Sequence, residues 1–141
     1  MNPKPLKQGD SVAIICTARK VNLDELEFAI QLFSDWGLKV VMGKTIGASD
    51  FQFGGSHDLR TADLQHMMDD ENIRAVFIAR GGYGTVRIID HLDFSSMRKN
   101  PKWICGFSDV TVLHSQLLNE NIASLHCAMP FSFQTASENS L

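Results

Sequence analysis

Short, nearly continuous apolar runs alternate along this chain with segments whose apolar residues recur at helical spacing. The runs predict strands at residues 11–16, 38–42, 75–79, 103–105 and 122–125. Uninterrupted runs such as 11–16 and 75–79 are typical of strands that are covered on both faces. The pattern therefore predicts a largely buried sheet.

Helices are predicted between these strands. The first spans residues 22–36, because Asn22 and Glu25 resemble a capping box and Gly37 follows the end of an apolar stripe. The second opens at Ser56 or Asp58 and ends near residue 68. Its predicted inward-facing positions are Leu59, Ala62 and Met67.

Two more helices complete the alternation. One follows a glycine-rich stretch and carries Val86, Ile89 and Leu92, and the other begins at Asp109. Because strand and helix alternate throughout, the predicted fold class is α/β, with a mostly parallel sheet flanked by helices on both faces.

Two segments fit no regular element. Residues 43–57 are rich in Gly, Ser and Asp and contain Phe51 and Phe53, which suggests either a binding loop or lid, or aromatic anchors on the domain's own surface. Residues 131–141 turn polar and are predicted to be a linker or a frayed end.

One stretch, residues 103–114, combines a strand, a sharp turn and a helix start. Ser108 lies on the turn, and Gly106 precedes it by two positions. This is the pattern of a nucleophile elbow, in which a tight turn holds a hydroxyl outward and the following N–H groups face an oxyanion. The usual second glycine is replaced by Val110. The commoner explanation of this stretch taken alone is that Ser108 or Asp109 caps the helix.

Several candidate residues follow strands and should meet at the carboxyl edge of the sheet. They are Thr17, Arg80, Gly81, Gly82, Tyr83, Ser108, Asp109 and His126. The loop from Gly81 to Gly84 admits three interpretations: an oxyanion element in which the Gly82 and Asp109 N–H groups pair, an anion- or nucleotide-binding cradle, or a tight turn. Arg80 or Arg19 could bind a substrate carboxylate.

No complete catalytic triad is present in the sequence. His114 lies six residues beyond Ser108, on another side of the helix, and cannot reach the elbow. His126 could reach the edge of the sheet, but no acid is placed to orient it. The base and its acid are therefore expected from outside this sequence.

Composition narrows the class of protein. The net charge of −3 and pI of about 5.9 offer nucleic acid no basic surface. No apolar run approaches the ~20 residues of a membrane span, and the amino terminus does not resemble a signal peptide. Three cysteines without C-x-x-C spacing suggest free thiols in a reducing compartment, so a cytoplasmic location is predicted.

Four motifs in order carry a family resemblance: Gly9 to Ile14, Arg80-Gly81-Gly82-Tyr83-Gly84, Gly106-Phe107-Ser108-Asp109, and His126-Cys127-Ala128-Met129. Together they resemble the amino-terminal domain of serine-type LD-carboxypeptidases, the muramoyl-tetrapeptide carboxypeptidases, a family that includes the microcin C self-immunity peptidases. The resemblance implies a flavodoxin-like or class I glutamine amidotransferase-like domain, with Ser108 as nucleophile and the Asp109 and Gly82 amides as oxyanion hole. Substrate contacts are expected from Arg80, Gly81, Tyr83, Thr17 and His126.

The resemblance also implies the nature of the whole protein. Family members are cytoplasmic homodimers that need no metal or other cofactor, and they release a terminal D-amino acid from the L,D-peptide bonds of recycled murein tetrapeptide. Their catalytic Glu and His belong to a carboxyl-terminal domain. Residues 1–130 are then expected to be the nucleophile-bearing domain and 131–141 the start of an interdomain linker, so that this chain alone would be inactive. One departure is that His126-Cys127-Ala128-Met129 replaces the family's H-G-P-M.

Overall fold

The computed structural model describes the backbone of residues 1–141 and every side chain except that of Ser140. Over this part of the chain, five strands alternate with four α-helices and several 3₁₀ turns. The elements are β1 (Ser11–Ile15), α1 (Glu27–Asp35), β2 (Lys39–Met42), α2 (His57–Asp69), β3 (Ile73–Ile78), α3 (Ser95–Lys99), β4 (Trp103–Gly106), α4 (Thr111–Asn119) and β5 (Leu125–His126).

The strands form one parallel sheet in the order β2-β1-β3-β4-β5. This is the doubly wound order of flavodoxin-like folds. In such a sheet, β2 is added on one side of β1 and the later strands on the other, so the strand order reverses between β1 and β3. Ligands of such sheets bind outside the carboxyl ends of the strands at that reversal. The loops after β1, β3 and β4 therefore frame the candidate site.

A separate apolar core covers each face of the sheet. On one face, α1 packs Ala29 and Phe33 against Val12 and Ile14. On the other, α2, α3 and α4 contribute the side chains of Leu64, Met67, Met68, Met97, Leu113 and Leu117. The predicted α/β class with helices on both faces is confirmed. Within the described residues, no helix combines the length and apolar character needed to cross a bilayer.

The helix predicted after the glycine-rich loop is wrong. Residues 85–91 form two 3₁₀ turns, Thr85–Arg87 and Ile89–His91, closed by bonds such as Ile88 N–H to Thr85 O. The predicted apolar positions recur every three residues, which matches the three residues per turn of a 3₁₀ helix. A short helix, α3, forms in the polar connection that leads to β4, where no element was predicted.

The inward face of α2 is also different from the prediction. Its buried positions include Arg60 and Asp63 beside Leu64, Met67 and Met68, whereas Ala62 is exposed. The prediction failed because charged residues were assumed to face water. The Ser56 cap is confirmed, since its hydroxyl accepts the Leu59 N–H at 3.1 Å.

The polar carboxyl-terminal segment begins as a packed element. Residues Pro130–Thr135 form a 3₁₀ helix against α1, and the Phe133 ring meets Phe33 edge-on at 5.6 Å. The description of this segment as frayed is therefore wrong for its first half. The polar composition of residues 131–141 did not indicate the contact between Phe133 and Phe33, because that contact depends on tertiary packing.

Candidate active site

Ser108 stands on the turn between β4 and α4. The strand ends at Gly106, a 3₁₀ turn spans Ser108–Val110, and α4 continues from Thr111. Ser108 has φ of +61°, a left-handed conformation that costs a non-glycine residue about 1–2 kcal/mol. Its side chain is exposed. The turn therefore presents the hydroxyl to solvent in the manner of a nucleophile elbow.

Gly106 explains how the turn tolerates a valine in place of the second glycine. Gly106 has φ of +158°, and a Cβ built on it would lie 3.0 Å from Val110 Cγ2 and 3.4 Å from Ile78 Cβ. Val110 is fully buried. The valine thus fills the space that a side chain at position 106 would need, so the first glycine is required here.

The glycine-rich loop faces this turn. A Cβ on Gly81 would lie 3.8 Å from Ser108 Oγ, which makes the two residues neighbours. Gly82 has φ of +113°, and a side chain there would collide with the stem of Arg19. The loop predicted to accompany Ser108 does lie beside it, at the edge of the sheet where ligands bind.

The Asp109 carboxylate joins the two loops. Its Oδ2 accepts the Thr85 N–H at 3.0 Å, immediately after the glycines. The sequence predicts for Asp109 only a backbone role or a helix cap, and this side-chain bond was not predicted. The Asp109 side chain therefore holds the end of the glycine loop against the turn that carries Ser108.

The His114 side chain is hydrogen-bonded to the backbone of the elbow. Its Nε2 lies 2.8 Å from the Gly106 carbonyl oxygen and its Nδ1 2.7 Å from Ser124 Oγ. Because a carbonyl oxygen only accepts, Nε2 donates to it, and Nδ1 shares a hydrogen bond with the Ser124 hydroxyl. The prediction that His114 cannot reach the elbow is therefore wrong, because its ring reaches the Gly106 carbonyl, although it makes no hydrogen bond to the Ser108 hydroxyl.

The Ser108 hydroxyl has no general base beside it among the described residues. Among the described side chains, none hydrogen-bonds to the Ser108 hydroxyl. His126 is exposed and stacks obliquely near Phe107 and His114, with ring centroids 6.0 and 6.2 Å away. No acid orients it. The site has a presented hydroxyl and a facing loop, without the group that would remove the proton.

The other candidate substrate contacts divide into buried and accessible ones. Thr17 is fully buried with its hydroxyl 2.7 Å from that of Thr85, so it is a structural residue rather than one that touches a substrate. The Arg80 guanidinium stacks on Phe131 at 4.2 Å. Tyr83 is exposed and its hydroxyl accepts the Arg87 Nε–H at 2.9 Å. Arg19, whose stem lies beside Gly82, is exposed.

Two thiols meet next to the elbow. A hydrogen bond from the Cys105 thiol, helped by the Gly106 backbone, lowers the pKa of Cys127 to about 7, whereas the same contact and burial raise the pKa of Cys105. Burial raises the pKa of Cys16 to about 12. All three are free. Within the described residues, no three His, Cys, Asp or Glu side chains are grouped so as to hold a metal ion.

Sequence comparison places these residues in a known context. A family model described as the LD-carboxypeptidase N-terminal domain matches residues 12–127. A probable murein peptide carboxypeptidase of Bacillus subtilis is 38% identical over 128 residues, which cover 90% of this chain and 40% of that protein. The chain therefore spans less than half the length of this relative.

Solved structures agree in fold. A MccF-like protein from Bacillus anthracis superposes with a TM-score of 0.88 at 25% identity, over 97% of this chain and 43% of its own. A muramoyltetrapeptide carboxypeptidase from Oxalobacter formigenes gives a TM-score of 0.81 at 25% identity, over 92% of this chain and 45% of its own. The five-stranded domain described above is thus a recurrent structure among these proteins.

Proposed function

Because this chain belongs to the LD-carboxypeptidase family through its amino-terminal domain, we propose that it carries the nucleophile of a serine carboxypeptidase. The proposed reaction is release of a terminal D-amino acid from an L,D-peptide bond of murein tetrapeptide. Murein peptide is the substrate named for the Bacillus subtilis relative. The observation that carries the proposal is the exposed Ser108 hydroxyl on a left-handed turn, directly opposite the glycine loop.

The proposed chemistry divides into two half-reactions. Ser108 Oγ attacks the carbonyl carbon of the L,D-bond, and the backbone N–H groups of Asp109 and Gly82 stabilise the oxyanion. The bond to the D-amino acid breaks, its amine takes up a proton, and an ester to Ser108 remains. Water then hydrolyses that ester. The glycines allow this role because a side chain on Gly81 would project toward Ser108 Oγ, where the substrate carbonyl must enter.

Three further groups belong to the proposal. A His–Glu pair from sequence outside residues 1–141 acts as base and orienting acid, since an unassisted serine is a weak nucleophile. Residues 1–130 then form the nucleophile-bearing domain, and 131–141 lead toward the next one. The whole protein is proposed to be a cytoplasmic homodimer. This polypeptide by itself is then expected to have no turnover.

The test is hydrolysis of an L,D-tetrapeptide by the full-length product of the gene and by its Ser108→Ala variant. Loss of the nucleophile should lower kcat by about 10⁴-fold or more. Ser115→Ala is the matched control, because Ser115 is an exposed serine on the adjoining helix α4. Equal rates for Ser108→Ala and the unmodified enzyme would remove Ser108 from the reaction. Hydrolysis of a microcin-like nucleotide peptide instead of the tetrapeptide would reassign the substrate.

A further inference from the structure

Helix α2 buries a cation directly beneath the candidate site. Arg60 has no exposed surface. Its Nε donates to the Thr17 carbonyl oxygen and its Nη1 to that of Gly55, both at 3.1 Å. Its Nη2 is buried with no hydrogen-bond partner among the described residues. Burial lowers the pKa of this guanidinium from its usual value, and the more distant charges of Asp50 and Asp109 offset that effect only in part.

Stability alone does not account for this residue. The guanidinium is held by two carbonyl groups and the face of one aromatic ring, with one donor unmatched, and burying such a charge gives no net gain in stability over an apolar side chain of similar volume. Elsewhere α2 fills the same face with Leu64, Met67 and Met68. An arginine in this row therefore calls for a role that a methionine would not perform.

A chain of hydrogen bonds leads from Arg60 to the elbow. Arg60 holds the carbonyl of Thr17, and the Thr17 hydroxyl lies 2.7 Å from the Thr85 hydroxyl. The Thr85 N–H in turn donates to Asp109 Oδ2 at 3.0 Å. Thr17 and Thr85 are both fully buried, so water does not compete for the bond between their hydroxyls. The chain ends on the residue that follows Ser108.

A second route runs through an aromatic ring. The Arg60 guanidinium lies over Phe53, with its Cζ 4.4 Å from the ring centroid. The same ring lies close to Gly84, on which a Cβ would be 3.0 Å from Phe53 Cε1. Phe53 therefore contacts both the guanidinium and the last glycine of the loop. Both routes from Arg60 converge on residues 84 and 85.

We propose that Arg60 is a positioning residue, which fixes the glycine loop opposite Ser108 through the Thr17–Thr85–Asp109 bonds and through Phe53. The inference rests on the proposed function, in which amides from both segments must face one oxyanion. Arg60 touches no substrate. Its effect is on the separation between the loop and the elbow, where displacement of about 1 Å can cost roughly 100-fold in rate.

The experiment uses the full-length enzyme with Arg60→Met, which keeps the volume and removes the donors. Because the oxyanion is held only in the transition state, kcat per folded molecule should fall by roughly 10- to 100-fold while KM changes by less than about threefold. Hydrogen exchange of the Thr85 amide should accelerate at least about tenfold, since the bond to Asp109 loosens.

Lys102→Met is the matched control. Lys102 is also a buried cation bound to backbone carbonyls, those of Met67 and Asp70, at the opposite end of α2. This variant should keep both kcat per folded molecule and the exchange rate of the Thr85 amide, because Lys102 bonds neither the glycine loop nor the elbow. If Arg60→Met behaves as Lys102→Met does, Arg60 is a structural residue and the inference fails.

Thr85→Val keeps the test decisive if Arg60→Met does not fold. It removes only the hydroxyl and leaves the N–H that binds Asp109, so kcat should again fall with KM retained. An unchanged kcat would overturn the relay. Where both variants fold, the double variant should be no slower than Arg60→Met alone, and fully additive losses would contradict a shared route. Ser108→Ala separates the two proposals: its retained activity would end the proposed function, whereas Thr85 exchange still reports on Arg60.

Discussion

Cys127 differs from the other two cysteines because of its immediate neighbours. It is half-buried beside the Cys105 thiol and the Gly106 backbone, which together favour its thiolate. Cys16 is fully buried and its pKa of about 12 keeps it protonated. Thiolates rather than thiols react with alkylating agents. At this scale, chemistry depends on which donors reach a single sulfur atom.

We expect iodoacetamide to modify Cys127 first, with a rate that rises through an apparent pKa near 7. The rate should be followed by peptide mass spectrometry between pH 6 and 9 on the intact, folded protein. Cys127→Ser is the control and should remove the fast phase. A midpoint near 9, the ordinary value for a thiol, would show that Cys105 and Gly106 do not stabilise the thiolate.

Asp109 shows a second effect at the level of one residue. Its backbone belongs to the turn of Ser108, while its carboxylate accepts the Thr85 N–H of the facing loop. Sequence alone predicted that both segments lie at one edge, because parallel strands end together. It did not predict the bond, since Asp109 after a serine is equally suited to capping a helix.

At the level of elements, α2 is closed at its carboxyl end by a lysine. Lys102 Nζ donates to the carbonyls of Met67 and Asp70 at 2.8 and 2.6 Å. Such carbonyls are unpaired within the helix, and a cation there also complements the helix dipole. Burial nevertheless lowers the pKa of Lys102 to about 8, from 10.5. The charged form is therefore less favourable in the folded protein than in the unfolded chain.

The sign of the pH dependence follows. Between about pH 8 and 10.5 the unfolded chain binds more protons at Lys102 than the folded one, so this residue's contribution to the free energy of unfolding rises with pH. Relative to Lys102→Met, the unmodified protein should gain on the order of 2 kcal/mol between pH 7.5 and 10. Urea denaturation of both proteins at the two pH values measures this, and the same difference at each pH would contradict it.

Element prediction succeeded where hydrophobicity dominated. The strands β1, β3 and β4 were found because their runs are uniformly apolar, and the elbow was found because a glycine breaks one of them. It failed on α2, whose buried face starts with Arg60 and Asp63. Asp63 accepts the N–H groups of Lys44 and Thr45, a long-range role that periodicity does not encode. The sequence did contain one indication of this buried cation: Arg60 stands at helical spacing from Leu64, Met67 and Met68, on the same face of α2.

At the level of the whole molecule, the segment after β5 is tied back to the first helix. Phe133 is 4% exposed and packs on Phe33, whereas the neighbouring Phe131 lies under the Arg80 guanidinium. Polar composition concealed both contacts. The segment therefore stabilises the face of the sheet on which α1 lies, in addition to any role as a connection.

Phe133→Ala should lower the free energy of unfolding by about 3 kcal/mol or more, because it removes a buried aromatic ring and leaves a cavity. Phe51→Ala is the control: Phe51 is 86% exposed, so the change should stay within about 0.5 kcal/mol. Chemical denaturation of both variants gives the comparison. Similar small losses for the two would mean that residues 130–135 do not contribute to stability.

The left-handed turn at position 108 sets two kinds of selection against each other. Glycine would adopt φ of +61° without the steric cost that serine bears there, so heat resistance alone favours loss of the hydroxyl. A lineage selected only for stability is therefore expected to acquire glycine at this site. Serine is expected to persist only where its hydroxyl is still needed for catalysis. The identity of the residue at this position, serine or glycine, should therefore distinguish descendants that remain catalysts from those that have lost the reaction and keep only the fold.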